Sequence, residues 1–217
     1  MTSYFSSKVV LVGLTAVGLT ALCSAQTPKI IYDNTTAYQG QIFYTENEFG
    51  DQIKFSTALT ERVLTSIKFE YYLASGANGD ETAQLKLYRN DGENGAPGYL
   101  LYDTGPFSIS SGVSGYNFVT LGDLALPVQD GLTWTVLFGG VSSTETAGLL
   151  VYGTPTVGTS FDDFWEKSGG VWGTKTIPSV VANFGAQIMA IPEPSTLHLM
   201  LLGGLAGLGW FWRRNAR

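Results

Sequence analysis

The run Ile67-Lys68-Phe69-Glu70-Tyr71-Tyr72-Leu73 places an apolar side chain at every odd position and a charge at two of the three even ones. A period of two is what a half-buried β-strand requires, because successive side chains point to opposite faces of the sheet. Leu132-Thr133-Trp134-Thr135-Val136-Leu137-Phe138 repeats the pattern, and weaker runs cover residues 41–45, 52–56, 82–88, 116–121, 149–152 and 180–188. Turn formers separate them, among them Asn78-Gly79, Asn90-Asp91-Gly92, Pro97-Gly98, Asp130-Gly131, Gly139-Gly140 and Gly169-Gly170. No stretch between residues 26 and 190 sustains a helical period, and no fixed repeat length recurs, which argues against a solenoid or propeller. The spacing therefore predicts an all-β domain of roughly eight to eleven short strands, housed in a single jelly-roll-like β-sandwich. Trp134, at an apolar strand position, is predicted core; residues 161–173, rich in glycine, are predicted loop; and residues 180–188 are predicted to be the last strand.

The two ends of the chain read differently from this domain. Lys8 precedes an apolar segment, residues 9–22, and Cys23-Ser24-Ala25 sets small residues before a cut, the layout of a secretory signal peptide over residues 1–25 with Gln26 as the first mature residue. Lipidation of Cys23 is an alternative that Thr20 and Leu22 fit poorly. At the other end, Pro192-Glu193-Pro194 leads into an apolar run, residues 197–212, and then to Arg213, Arg214 and Arg217. Proline fixes its own φ and drives the residue before it out of the helical region, so Ile191 and Glu193 are predicted extended and residues 191–196 a hinge. A helix from Ser195 to Trp212, at about 1.5 Å per residue, spans about 27 Å, enough for the hydrocarbon core of a bilayer. Trp210 and Trp212 suit the membrane interface, and arginines stay on the cytoplasmic side, which leaves residues 26–190 outside. A buried C-terminal core helix is the competing reading, opposed by apolar side chains on every face.

Pro192-Glu193-Pro194-Ser195-Thr196-Leu197, the apolar stretch rich in Leu and Gly, and the terminal arginines together resemble the PEP-CTERM sorting signal of Gram-negative bacteria. His198 inside the span and Asn215 among the arginines depart from the pattern without breaking it. The resemblance implies that residues 191–217 are a substrate for exosortase, a membrane-embedded transpeptidase that cuts near the triplet and passes the protein towards the cell surface or exopolysaccharide. Pro192, Glu193 and Pro194 would then be recognition residues, and Arg213 and Arg214 a stop signal. The same tail is sometimes labelled an ice-binding protein C-terminal domain, a label for the tail and not for an activity. Two segments of the domain, residues 87–101 and 155–165, also resemble stretches of other extracellular proteins with this tail, which implies a recurring module without defining what it does.

Composition supplies mainly exclusions. Residues 26–190 hold eight basic and seventeen acidic side chains, a net charge of −9, which repels nucleic acid. The lone cysteine, Cys23, leaves with the signal peptide, and the lone histidine, His198, belongs to the apolar tail. The mature domain thus has no material for a Ser-His-Asp triad, a thiol nucleophile or a conventional zinc site. Carboxylate pairs keep glycoside hydrolysis open, with Asp162, Asp163 and Glu166 beside Trp165 as the local set. Asn90-Asp91-Gly92-Glu93-Asn94-Gly95 packs oxygen side chains and glycines into one loop, so Asn90, Asp91, Glu93 and Asn94 form a candidate calcium set, although Asn and Asp before Gly are also what a plain turn demands. Trp165 and Trp172 are candidate sugar-stacking residues, weighed against packing beneath a loop.

The sequence reading is thus an exported cell-surface or exopolysaccharide-matrix protein without enzymatic activity or required cofactor. A carbohydrate-binding module is the alternative and a glycan-active enzyme the third possibility. Mass spectrometry of the protein isolated from its host is expected to give an N-terminus at Gln26 and a C-terminus cut near the Pro192-Glu193-Pro194 triplet; an intact Arg217 on all mature protein would rule out cleavage.

Overall fold

The computed structural model describes residues 26–74, 79–109, 114–140 and 147–193. The signal peptide, Pro194, the apolar span over residues 197–212, Arg213 and Arg214 lie outside the described residues. Among the described residues sixteen strands follow one another: β1 Lys29–Asp33, β2 Tyr38–Phe43, β3 Glu48–Lys54, β4 Glu61–Leu73, β5 Thr82–Tyr88, β6 Leu100–Asp103, β7 Phe107–Ser108 and β8 Gly115–Leu121 in the first half. The second half holds β9 Leu126–Pro127, β10 Gly131–Gly139, β11 Ala147–Tyr152, β12 Thr159–Ser160, β13 Phe164–Ser168, β14 Val171–Lys175, β15 Asn183–Phe184 and β16 Ala186–Pro192. One short 3-10 turn, Glu93–Gly95, is the sole helical element among the described residues.

The strands form two antiparallel sheets of eight, the first ordered β1-β16-β4-β11-β15 and the second β14-β13-β3-β10-β5-β6, with the remaining short strands attached at their sides. The alternation in β4 is realised as read: Ile67, Phe69, Tyr71 and Leu73 are buried and Lys68, Glu70 and Tyr72 only partly so. β10 presents Trp134, fully buried, to the ring of Phe69 across the sheets at 6.2 Å. Phe43, Phe49, Phe164 and Phe184 complete the core at one end, with Phe43 and Phe164 centroids 4.6 Å apart and Phe164 and Phe184 5.3 Å apart. Aromatic pairs in tilted or edge-to-face contact pack densely and add to the burial term.

Three segments differ from the sequence reading. Within residues 161–173 only Phe161, Asp162 and Asp163 lie outside the strands before the turn: β13 and β14 form a hairpin turned at Gly169 and Gly170, both at positive φ. The segment 180–188 is broken, since Val180 makes only an isolated bridge with Ile177, β15 has two residues, and β16 begins at Ala186 and continues to Pro192. β3 starts at Glu48 rather than at Gln52 because Glu48 and Asp51 are buried polar residues, which conceal the apolar face formed by Phe49 and Ile53. Ile191 is extended as predicted, but it is also paired with Val63, and Pro192 faces Glu61, so the first proline of the triplet belongs to the sheet. Lys29 pairs with Ala190 and its ammonium meets Glu61 at 2.5 Å, which sets both ends of the domain side by side.

Asp51 is the one fully buried carboxylate facing the core from β3. Its Oδ2 accepts the backbone N–H of Phe184 at 3.1 Å, tying the second sheet to the first, while Oδ1 has no hydrogen-bond donor among the described residues. Burial holds this carboxyl well above the ordinary carboxylate range, against the opposing pull of the Phe184 N–H. A raised folded pKa means that folding favours the protonated acid, so stability falls as pH rises from the unfolded value, about 3.9, towards the folded one. Asp51→Asn keeps an oxygen for Phe184 and cannot ionise. The variant is expected to gain melting temperature over wild type at pH 8 and to lose that gain towards pH 4; a pH-independent difference would contradict the assignment.

Candidate functional site

The hairpin of β13 and β14 does more than extend the second sheet. β14 and β5 stand at positions separated by β13, β3 and β10 in the sheet order, yet Trp172 on β14 meets Tyr88 on β5 edge to face with centroids 5.6 Å apart. The hairpin therefore curls back over the outer face of its own sheet. Register puts Trp165 opposite Thr174 and Lys167 opposite Trp172, so these four side chains share the inward-curling side. Trp165 is nine-tenths buried, opposite Gly50 of β3 in the register, with its Nε1–H donated to Gln52 Oε1 at 2.9 Å. Trp172 is half-buried, with Lys167 Nζ 5.3 Å from its ring centroid.

Between this hairpin and the loop from Gly92 to Pro97 runs a groove of about 920 Å³. Phe161, Asp163, Trp165, Trp172, Thr174 and Gln52 line it together with Glu93, Asn94, Ala96 and Pro97 of the loop. The two clusters singled out in the sequence thus meet in space, although some seventy residues separate them. The loop holds itself open through its own backbone: Gly92 N–H donates to Ala96 O at 3.0 Å, Ala96 N–H to Glu93 O at 3.1 Å, and Asn94 takes the left-handed conformation at φ 55°. Gly98 is required here, since a Cβ would stand 2.0 Å from Asp91 Oδ1.

The four residues of the calcium set do not act together. Asn90 Oδ1 accepts the Thr133 hydroxyl at 2.7 Å, and Asp91 Oδ1 accepts the Tyr99 N–H at 2.8 Å. Both line a second cleft, of about 590 Å³, with Lys54, Arg62 and Glu193 of the triplet, whereas Glu93 and Asn94 face the first groove. Among the described residues no group of three or more His, Cys, Asp and Glu side chains is placed to hold a metal ion. Of the three acids beside Trp165, Asp163 reaches the groove while Glu166 points to the other side of β13. There Glu166 accepts the Thr45 hydroxyl at 2.7 Å and Asn47 Nδ2–H at 2.9 Å. Burial alone would raise its pKa, but these two donors and Lys175 hold it below the ordinary value.

Behind the groove lies a polar network that the sequence reading does not single out. Glu48 is buried on β3 and accepts the Tyr88 hydroxyl at 2.7 Å, the Thr135 hydroxyl at 2.7 Å and Lys86 Nζ at 2.9 Å. Burial raises the Tyr88 hydroxyl pKa, and the Glu48 carboxylate raises it further. Tyr88 is thus kept as a neutral donor whose ring supports Trp172. The available sequence signal is the alternation of β5 and β10, whose outward positions include Lys86, Tyr88, Thr133 and Thr135, but nothing local to Glu48 indicates that it is their shared partner.

The fold and its groove define a non-repetitive, all-β two-sheet module whose outer face is partly roofed by its own hairpin, with both ends at one edge of the first sheet. What the module is attached to is defined by its tail. Residues 190–215 match the family described as the PEP-CTERM protein-sorting motif. The chain therefore carries a PEP-CTERM sorting signal, which marks an exported protein sorted at the membrane and implies processing by exosortase, a membrane enzyme. The match covers the tail and carries no ice-binding assignment. No curated protein and no solved structure matches the chain.

Since Asn90 and Asp91 already accept donors from within the fold, millimolar calcium is expected to leave the melting temperature unchanged. A rise of several degrees that chelator reverses would show instead that the loop rearranges around the ion.

Proposed function

We propose that the sorting signal delivers a non-enzymatic, polysaccharide-binding module to the cell surface or the surrounding exopolysaccharide matrix. The observation that carries this reading is the groove, where the exposed parts of Trp172 and Phe161 lie among Glu93, Asn94, Asp163, Gln52 and Thr174. Sugar rings present apolar C–H faces and hydroxyl edges, and a site made of aromatic rings with a few convergent hydrogen-bonding groups complements both. The anchoring of Trp165 by Gln52 and of Trp172 by Tyr88 fixes the rings before a ligand arrives, so little side-chain entropy is lost on binding. Trp165 accordingly acts as the floor that positions Gln52, and Trp172 as the stacking residue.

Residues 26–190 lack histidine and cysteine, which removes the common nucleophile and base pairs. A glycan-cleaving enzyme is the second reading, favoured by one observation: Glu93 and Asp163 both line the groove. After export the C-terminal span holds the protein at the membrane, and exosortase then releases it towards the surface.

The full chain in mild detergent is expected to be retained on exopolysaccharide extracted from its host, and Trp172→Ala to weaken retention by roughly tenfold, the loss of one stacking contact. Trp165→Ala alone is expected to lower melting temperature as well, because it removes a buried ring. Equal and negligible retention of wild type and Trp172→Ala would leave a purely structural module, and release of reducing ends that Glu93→Gln abolishes would establish the enzyme.

A further inference from the structure

The outer face of the first sheet carries a second set of rings, far from the groove in the fold. Tyr38 on β2, Tyr116 and Phe118 on β8 and Tyr152 on β11 line a shallow depression of about 380 Å³ together with Glu70 and Asn117. Tyr116 and Phe118 are 65% and 66% exposed, unusually high for side chains of this size in the middle of a strand. Apolar surface left open in a continuous patch marks a contact surface.

The rings are held in place by one another and by charge. Tyr116 stands edge to face against Tyr38 at 5.7 Å and against Tyr72 at 5.4 Å, and Tyr38 packs tilted against Tyr152 at 5.6 Å. The Tyr152 hydroxyl donates to Glu70, Lys68 pairs with Glu70 at 2.7 Å, and the same ammonium lies 5.1 Å from the Phe118 ring centroid. Glu70 is therefore neutralised within the patch, which offers ring faces, phenol hydroxyls and no net charge of its own.

These features select among occupants. A wholly apolar partner would cover the tyrosine hydroxyls without satisfying them, at a cost for each buried group. An anionic chain would meet a domain with net charge −9. The tail departs at Pro192, opposite Glu61, whereas Tyr72 lies eleven residues further along β4, roughly 36 Å away at about 3.3 Å per residue. The patch therefore sits at the end of the first sheet remote from Pro192.

We infer that this tyrosine face is a second binding surface, taking a neutral polysaccharide chain across Tyr38, Tyr116 and Phe118. It rests on the polysaccharide reading given above but uses none of the groove residues. Two separated sites on one small domain allow a single chain to be gripped twice or two chains to be linked, and either raises retention beyond that of one weak contact.

The test compares the full chain in detergent with Tyr116→Ala/Phe118→Ala and, separately, Trp172→Ala, on amorphous cellulose as a neutral glycan and alginate as an anionic one. Both face residues are exposed, so the double variant is expected to melt like wild type while its retention on cellulose falls roughly tenfold or more. Retention equal to wild type would overturn the inference and leave the groove reading untouched. Loss in the face variant with none in Trp172→Ala would keep the face and discard the groove, and no retention of wild type on either glycan would discard both. Preferential retention on alginate would overturn the neutral class. A concentration-dependent dimer in analytical ultracentrifugation that the face variant abolishes would assign the surface to a second copy of the chain and overturn the inference.

Discussion

The thirteen-residue strand β4 is the element on which the rest of the first sheet depends. One of its edges takes β16 from Glu61 to Phe69 and then β11 from Tyr71 to Leu73, while the other takes β9 and β8. Antiparallel pairing along so long a strand satisfies backbone groups that burial would otherwise leave costly, and it sets Ile67, Phe69 and Tyr71 against Trp134 and Phe138 of the facing sheet. Because β16 is paired along nearly its whole length to this strand, the sorting signal begins inside a structural element. Pro192 can end the strand because the register shifts between Ile191 and Pro192, and a residue without a backbone N–H is tolerated at such an irregular terminus.

That arrangement relates handling to use. Both domain ends lie at the Glu61 end of β4, joined there by the Lys29–Glu61 ion pair, and the tyrosine face lies towards the other. The hairpin groove belongs to the opposite sheet, where curling of β13 and β14 over β3 and β5 brings Trp172 to Tyr88. The Glu48 network beneath it is a buried charge satisfied by three donors, the condition under which such a group holds a geometry rather than weakening the fold.

The all-β class, the strands at Thr82–Tyr88 and Gly131–Gly139, the core position of Trp134 and the sorting tail were legible because each rests on local information: period two, turn residues, or a linear motif. β3 was displaced in the reading because Glu48 and Asp51 interrupt its apolar pattern, and both are buried for reasons that lie in other strands, at Tyr88 and at Phe184. β13 and β14 were missed because glycines around a tight turn look like loop, and because Trp165 and Lys167 share a side that is covered only after the hairpin folds over the sheet. Trp165, singled out as a stacking residue, proves to be nine-tenths buried and bonded to Gln52. Neither the tyrosine face nor its remoteness from the tail is visible locally, since Tyr38, Glu70, Tyr116 and Tyr152 come from four strands.

By itself the sequence determined the strand chemistry, the acidic and thiol-free character of the domain, and its destination, because alternation, composition and a contiguous sorting motif are properties of neighbouring residues. Only the tertiary structure decided which rings face solvent and which face the core, that the loop at Glu93 and the hairpin at Trp172 share one groove, and that Pro192 is part of a sheet. These depend on pairing between segments up to about 160 residues apart in the chain, as Lys29 with Ala190, and such contacts are chosen by the packing of the whole core rather than by any local preference.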